Sequence, residues 1–277
     1  MPSNASSTSK PQRAVARATS DPSRRREKPT PPPEAICTIV HQDEHLVVVD
    51  KRPGFPVSPN AIYRSRSVLH TLQRLGLGVC YPVSLLDREA TGLVLLSRTV
   101  ETARSLRWNW RSSLCERQFI AVAQGDVPGA HGRITLPIGQ VEAGHTRRRG
   151  VLLPEAGGRA AETRWKLLAR GRGMSRLLIT LHHTRCHQIR IHLAAIGFPL
   201  VNESVYIERN REMPIDALLE GAERKYEISK LPAHQVGLHL WRVTIAHPVS
   251  GEIVNFEAPI PRELLNLMPN AWVVNEI

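Results

Sequence analysis

Short apolar runs broken by turn residues set the rhythm of this chain. Residues 36–40 and 46–49 are β-branched runs separated by the polar turn 41–45, which predicts a hairpin. Leu69, Leu72 and Leu75 recur every third residue through "SVLHTLQRL", and Thr99 stands as a cap before Val100, Ala103 and Leu106, so 67–75 and 99–108 are predicted helices. Further strands are expected at 93–96, 119–123, 161–168, 175–182, 238–245 and 254–258, with a short apolar run at 132–139. The recurring helical patterns of about 10 to 15 residues that mark a βαβ chain are missing. The pattern therefore predicts an antiparallel or mixed sheet with few helices.

One more helix is written into "HHTRCHQIRIHLAAIGFP", residues 182–199. Ile189, Leu193 and Ile196 share a face, and Gly197-Phe198-Pro199 stops the helix. At about 100° per residue, His187, Arg190 and Ala194 fall on a separate flank, which turns Arg190 sideways toward a cleft. Earlier in the chain, "SLLDREATGLVLLSRT" (84–99) inserts Asp87, Arg88 and Glu89 between an apolar pair and a buried strand. These charges are either a solvated turn closed by Ala90-Thr91-Gly92, or they include a carboxylate held partly desolvated at the rim of the core and available for chemistry. An arginine reaching Asp87 would keep it ionised, and Arg190 is the candidate.

Composition narrows the partners. The chain has 277 residues, 42% of them hydrophobic, enough for one main domain, and a formal charge of +12. The Pro/Ser-rich opening 1–34 holds seven basic residues against three acidic ones, net +4, leaving +8 for residues 35–277. A disordered tail is expected over 1–34 and a folded domain over 35–277. A basic balance in both parts favours a polyanion, RNA or DNA, as partner. No apolar run approaches the roughly 18 to 20 residues of a membrane span, so a cytoplasmic protein with no membrane partner is expected.

Two basic stretches are candidate phosphate contacts: the Pro-stiffened loop 50–60, with Lys51 and Arg52, and "AGHTRRRG", with Arg147 and Arg148. Each reads equally as an ordinary solvated connector. Cys37, Cys80, Cys115 and Cys186 are widely spaced, which indicates neither a disulfide framework nor a cysteine zinc site. His187 and His192 lie about 140° apart on a helix, so no metal is expected.

Four ordered segments carry a family resemblance: "VVVDKRPGFPVSP" (47–59), "LLDREATGLVLLSRT" (85–99), "RCHQIRIHLAAIGFPLV" (185–201) and "LHLWRVTIAHPVSGEIVNFEAPIP" (238–261). In these the chain resembles RluA-type RNA pseudouridine synthases. The resemblance implies an α+β fold, a long mixed, mostly antiparallel sheet with flanking helices and a central RNA-binding cleft. It implies cofactor-free isomerisation of uridine in ribosomal or transfer RNA. Asp87 matches the essential aspartate, as nucleophile or base; Arg190 matches its arginine partner; Phe119 stands where a base-stacking Tyr is usual. RNA contacts are expected at Lys51, Arg52, Arg88, Arg147, Arg148, Arg185, His187 and Gln188, in a monomer.

This chain departs from the pattern at Leu85, where the family has an arginine that helps displace the target base. It departs again at His183-Thr184 for Thr-Gly and at Asn202-Glu203 for Gly-Asp. Loss of glycine predicts rebuilt turns. A catalytically silent RNA-binding protein on the same fold is the alternative reading, and a metal hydrolase using the histidines a third.

Overall fold

The computed structural model describes residues 29–110, 115–143, 146–206 and 231–269, with backbone alone at 142–143 and 146–147. In chain order its elements are β1 (Cys37–Gln42), β2 (Leu46–Lys51), α1 (Val68–Arg74), β3 (Tyr81–Pro82), β4 (Thr91–Ser97), α2 (Val100–Trp110), β5 (Glu116–Gln124), β6 (His131–Ile134), β7 (Ile138–Ala143), β8 (Thr146–Val151), β9 (Thr163–Gly171), β10 (Met174–Leu181), α3 (Gln188–Ala195), β11 (Leu238–Ala246), β12 (Ile253–Glu257) and α4 (Arg262–Leu267). Ten strands form one sheet in the order β1-β2-β4-β11-β5-β10-β9-β6, with β3 added to β4 and β12 to β11. Among the described residues β4–β11 is its one parallel pairing, so the sheet is mixed and mostly antiparallel, and the fold is α+β. Strands β7 and β8 form a separate ribbon.

The central strands are apolar on both faces because both faces are covered. In β2 and β4, Leu46, Val48, Leu93 and Leu95 join one cluster with Leu106 of α2 and Ile189 and Leu193 of α3. Val47, Val49, Val94 and Leu96 pack on the other side with Val68 and Leu72 of α1. The α1 start expected from the sequence is made by Ser67, whose hydroxyl accepts from the His70 N–H. Helix α3 differs from its expected amphipathic form: all eight of its residues are buried. Ile189 and Leu193 face the sheet, while Ile191 and Ala194 pack with Ile138 of the ribbon, so a second layer covers the flank that periodicity assigned to a cleft.

The parallel β4–β11 junction requires Gly92. Its φ is +109° and a Cβ there would lie 2.2 Å from the Leu240 carbonyl oxygen. Thr91 and Gly92 thus open a strand rather than close a turn, and the loop 84–90 is delivered to the middle of the sheet. Arg147–Arg149 also lie in a strand, β8, not in a loop. The compact unit begins at Pro31; residues 1–28 of the expected tail lie outside the described residues.

Candidate active site

Asp87 lies on a loop held from several sides. Ser84 Oγ accepts from the Leu95 N–H, the Gly54 N–H donates to the Arg88 carbonyl, and the Val236 N–H donates to the Glu89 carbonyl. Lys51, expected to contact RNA, is 0% exposed. Its ammonium donates to the carbonyls of Arg52 at 3.0 Å, Arg88 at 3.1 Å and Ala90 at 2.7 Å, so it ties down the loop from beneath instead of meeting phosphate. Burial pushes its pKa down to about 7, against the pull of the Asp87, Glu89 and Asp50 carboxylates.

Arg190 of α3 comes to the same place from 103 residues further along the chain. It is 1% exposed and sits among three carboxylates. Nε and Nη2 bind Glu203 at 2.8 and 2.9 Å, while Nη1 faces Asp87 at 3.3 Å and Glu89 at 3.4 Å. Its guanidinium stacks near Tyr206, 5.6 Å from the ring centroid. Burial works against its charge, but the bonded Glu203 outweighs burial and raises the pKa, so the arginine stays cationic. Asp87 keeps 21% of its side chain exposed and so stands at the boundary between this network and solvent.

His187 precedes α3 with φ +57°. Its Nε2 lies 3.6 Å from Asp87 and its Nδ1 is hydrogen-bonded to the Tyr206 hydroxyl at 2.6 Å. Burial opposes its charging, yet the Cys186 thiol and the Asp87 carboxylate prevail and raise its pKa. Gln188 is buried too. Its amide bonds the Glu162 carbonyl and Thr163, and its oxygen accepts from the Arg185 N–H, which makes it a brace of the turn rather than a reader of RNA. His192 bonds Thr163 and the Leu136 carbonyl.

The other expected RNA contacts are scattered around this centre. Arg88 is partly exposed, bonded to Glu89 and to the Tyr63 hydroxyl. Arg52 is partly exposed beside Asp50, 3.7 Å away. Arg185 and Arg148 are exposed, and the Arg147 side chain lies outside the described residues. Phe119 is buried in β5, aligned with Leu240, on the sheet face that α3 covers. Leu85, by contrast, is 78% exposed two residues from Asp87. Among the described residues no three His, Cys, Asp or Glu side chains are grouped to hold a metal.

Sequence reasoning missed four contributors. Glu203 and Tyr206 complete the arginine's surroundings, and Glu89 shares its Nη1. Arg117, fully buried, donates to the carbonyls of Trp110, Cys115, Leu181 and His182, fixing the strand end from which the α3 loop departs. Nothing local announced it, because Arg117 stands between Glu116 and Gln118, ahead of the apolar run of β5. At 202 the backbone is left-handed, with Asn202 at φ +61° and its amide donating to the carbonyls of Leu231, Pro232 and Gln235.

Comparison with solved structures gives the class to which this fold belongs. Human RNA Pseudouridylate Synthase Domain Containing 4 superposes with a TM-score of 0.63 at 20% identity, covering 83% of this chain and 92% of that one. Human RNA Pseudouridylate Synthase Domain Containing 1 gives 0.62 at 17%, covering 82% and 84%. The family model described as RNA pseudouridylate synthase matches residues 45–195, and the chain belongs to that family. Among curated relatives, Ribosomal large subunit pseudouridine synthase D of Neisseria meningitidis is 33% identical over 248 residues, 86% of this chain and 62% of that protein. Its counterpart in Nitrosomonas europaea is 29% identical over 246 residues, 85% and 65%. The chain thus spans less than two thirds of either relative's length.

Proposed function

We propose that this protein isomerises uridine to pseudouridine in structured RNA, with Asp87 as the catalytic carboxylate. The observation that carries the reading is the position of Asp87, beside a permanently charged buried arginine on one side and solvent on the other. The isomerisation breaks the bond from ribose C1′ to uracil N1 and forms one from C1′ to C5, with the C5 proton lost and N1 protonated. Atoms and electrons balance within the nucleotide, so this chemistry calls for no cofactor. An ionised carboxylate can assist by adding to the sugar or the base, or by taking a ribose proton, and Arg190 is the cation that faces it. Phe119, buried at 7% exposure on the sheet face that α3 covers, offers no open face to a detached base, so the stacking role implied by the resemblance would require its neighbours to move aside.

Large-subunit ribosomal RNA is the substrate class we favour, because the names of the curated relatives state it. Arg185, Arg148, Arg52 and Arg88 are the phosphate contacts in this reading, made by a monomer without metal. The test is tritium release from C5-labelled uridine in ribosomal and transfer RNA lacking pseudouridine. Wild type releases tritium, while Asp87→Asn binds RNA equally well and releases none. RNA binding without release by wild type would instead identify a silent RNA-binding protein.

A further inference from the structure

Arg190 divides its bonds unequally among the three carboxylates around it. Both short contacts go to Glu203, through Nε and Nη2, in the planar fork that suits a guanidinium and a carboxylate; the longer ones, 3.3 and 3.4 Å, go from the single Nη1 to Asp87 and Glu89. Glu203 is itself immobilised. Its side chain is 0% exposed, Oε1 also accepts from the Val205 N–H at 2.9 Å, and its own N–H donates to the Leu200 carbonyl. The neighbouring Asn202 pins this segment to the loop leading into β11. Behind the guanidinium stands Tyr206, and Lys51, Arg88 and His187 complete the charged surroundings of Asp87 and Glu89.

We propose that Glu203 is a positioning residue. It occupies two of the three nitrogens of the Arg190 guanidinium, Nε and Nη2, so that Arg190 holds Asp87 by one long contact instead of a fork. A carboxylate bound bidentately to arginine has its lone pairs committed and makes a poor nucleophile or base. Asp87, singly addressed, keeps its lone pairs for substrate. The catalytic meaning of this arrangement rests on the proposed isomerase activity; the geometric claim does not.

The test therefore has a structural and a kinetic arm. Without its anionic partner, in Glu203→Gln, the guanidinium should turn to Asp87. A crystal structure of this variant is expected to show two Arg190–Asp87 bonds, whatever the activity of the protein. An Arg190 left where it is, with Nη1 alone on Asp87, overturns the proposal even if the isomerase reading stands. In tritium release kcat is expected to fall about 10- to 100-fold with KM little changed. The acid-side midpoint of the pH–rate profile moves to lower pH, since an uncompensated guanidinium favours the charged form of its neighbour. Glu203→Asp, which keeps the charge, recovers most of kcat and the wild-type profile. A merely structural Glu203 would lower the amount of folded enzyme and leave the midpoint in place. Should Glu203→Gln fail to fold, Glu203→Asp decides alone: wild-type kcat and midpoint support the proposal, and a 10-fold loss without a shift overturns it. Silence of wild type itself in the same assay would count against the isomerase reading and leave the crystallographic arm intact.

Discussion

At the scale of single residues, burial reverses what charge alone implies. Lys51 and Gln188 look like surface groups in a basic, polar segment, yet both are inside, bonded to backbone carbonyls and serving the loop or turn that carries a site residue. Lys51→Met removes three hydrogen bonds and takes the ammonium donor from the Ala90 carbonyl, while the Arg88 carbonyl keeps the Gly54 N–H. We expect a loss of about 2–3 kcal/mol in urea unfolding, and slower tritium release from the folded variant. A variant as stable and active as wild type would return Lys51 to the surface role. Sequence identified Asp87 and Arg190 because each sits in a segment whose apolar neighbours leave few places for a charge. Glu203 was visible only as a departure from the family pattern; its pairing with Arg190 escaped notice because the partner is 13 residues away around a turn, and nothing local announces a buried pair.

At the scale of elements, the longer strands and helices were legible, since period-two and period-three-to-four patterns report which faces are covered. The short β3 and α4 and the arginine-bearing β8 were not announced by the pattern, and α3 was legible as a helix but not in its burial, where two packed layers erase the polar face. The junction of β4 and β11 depends on a second buried group besides Gly92. His239 is fully buried, with Nδ1 bonded to Thr91 and Nε2 to the Ala258 carbonyl, and burial lowers its pKa from 6.5 to about 4. The folded protein therefore stays neutral there while the unfolded chain takes up a proton below about 6.5, so this group's contribution is present above that pH and is lost as pH falls toward 4. Wild type should lose about 3 kcal/mol more than His239→Gln between pH 7 and pH 4 in urea unfolding. Parallel losses in the two proteins would mean that His239 does not govern acid sensitivity at this junction.

At the scale of the whole molecule, net charge and fold would act on the proposed RNA substrate at different ranges. Residues 1–28 carry seven basic and two acidic residues, while the fold proper begins at Pro31, whose carbonyl accepts from Arg74. Removing 1–28 should leave the melting temperature unchanged and weaken RNA binding chiefly at low salt, because phosphate attraction by such a segment is screened. Equal affinities of the truncated and full chains across a salt series would remove the tail from the binding account. No described helix is long and apolar enough to cross a membrane. What the sequence by itself determined was the class of fold and the family, for these follow from periodicity and from ordered motifs that local chemistry preserves; it named Arg190 only as the candidate partner of Asp87. The tertiary structure alone decided that these two side chains meet, which charges face solvent and which are spent inside, and that the arginine answers to three carboxylates, because desolvation and hydrogen-bond geometry depend on residues brought together from distant parts of the chain.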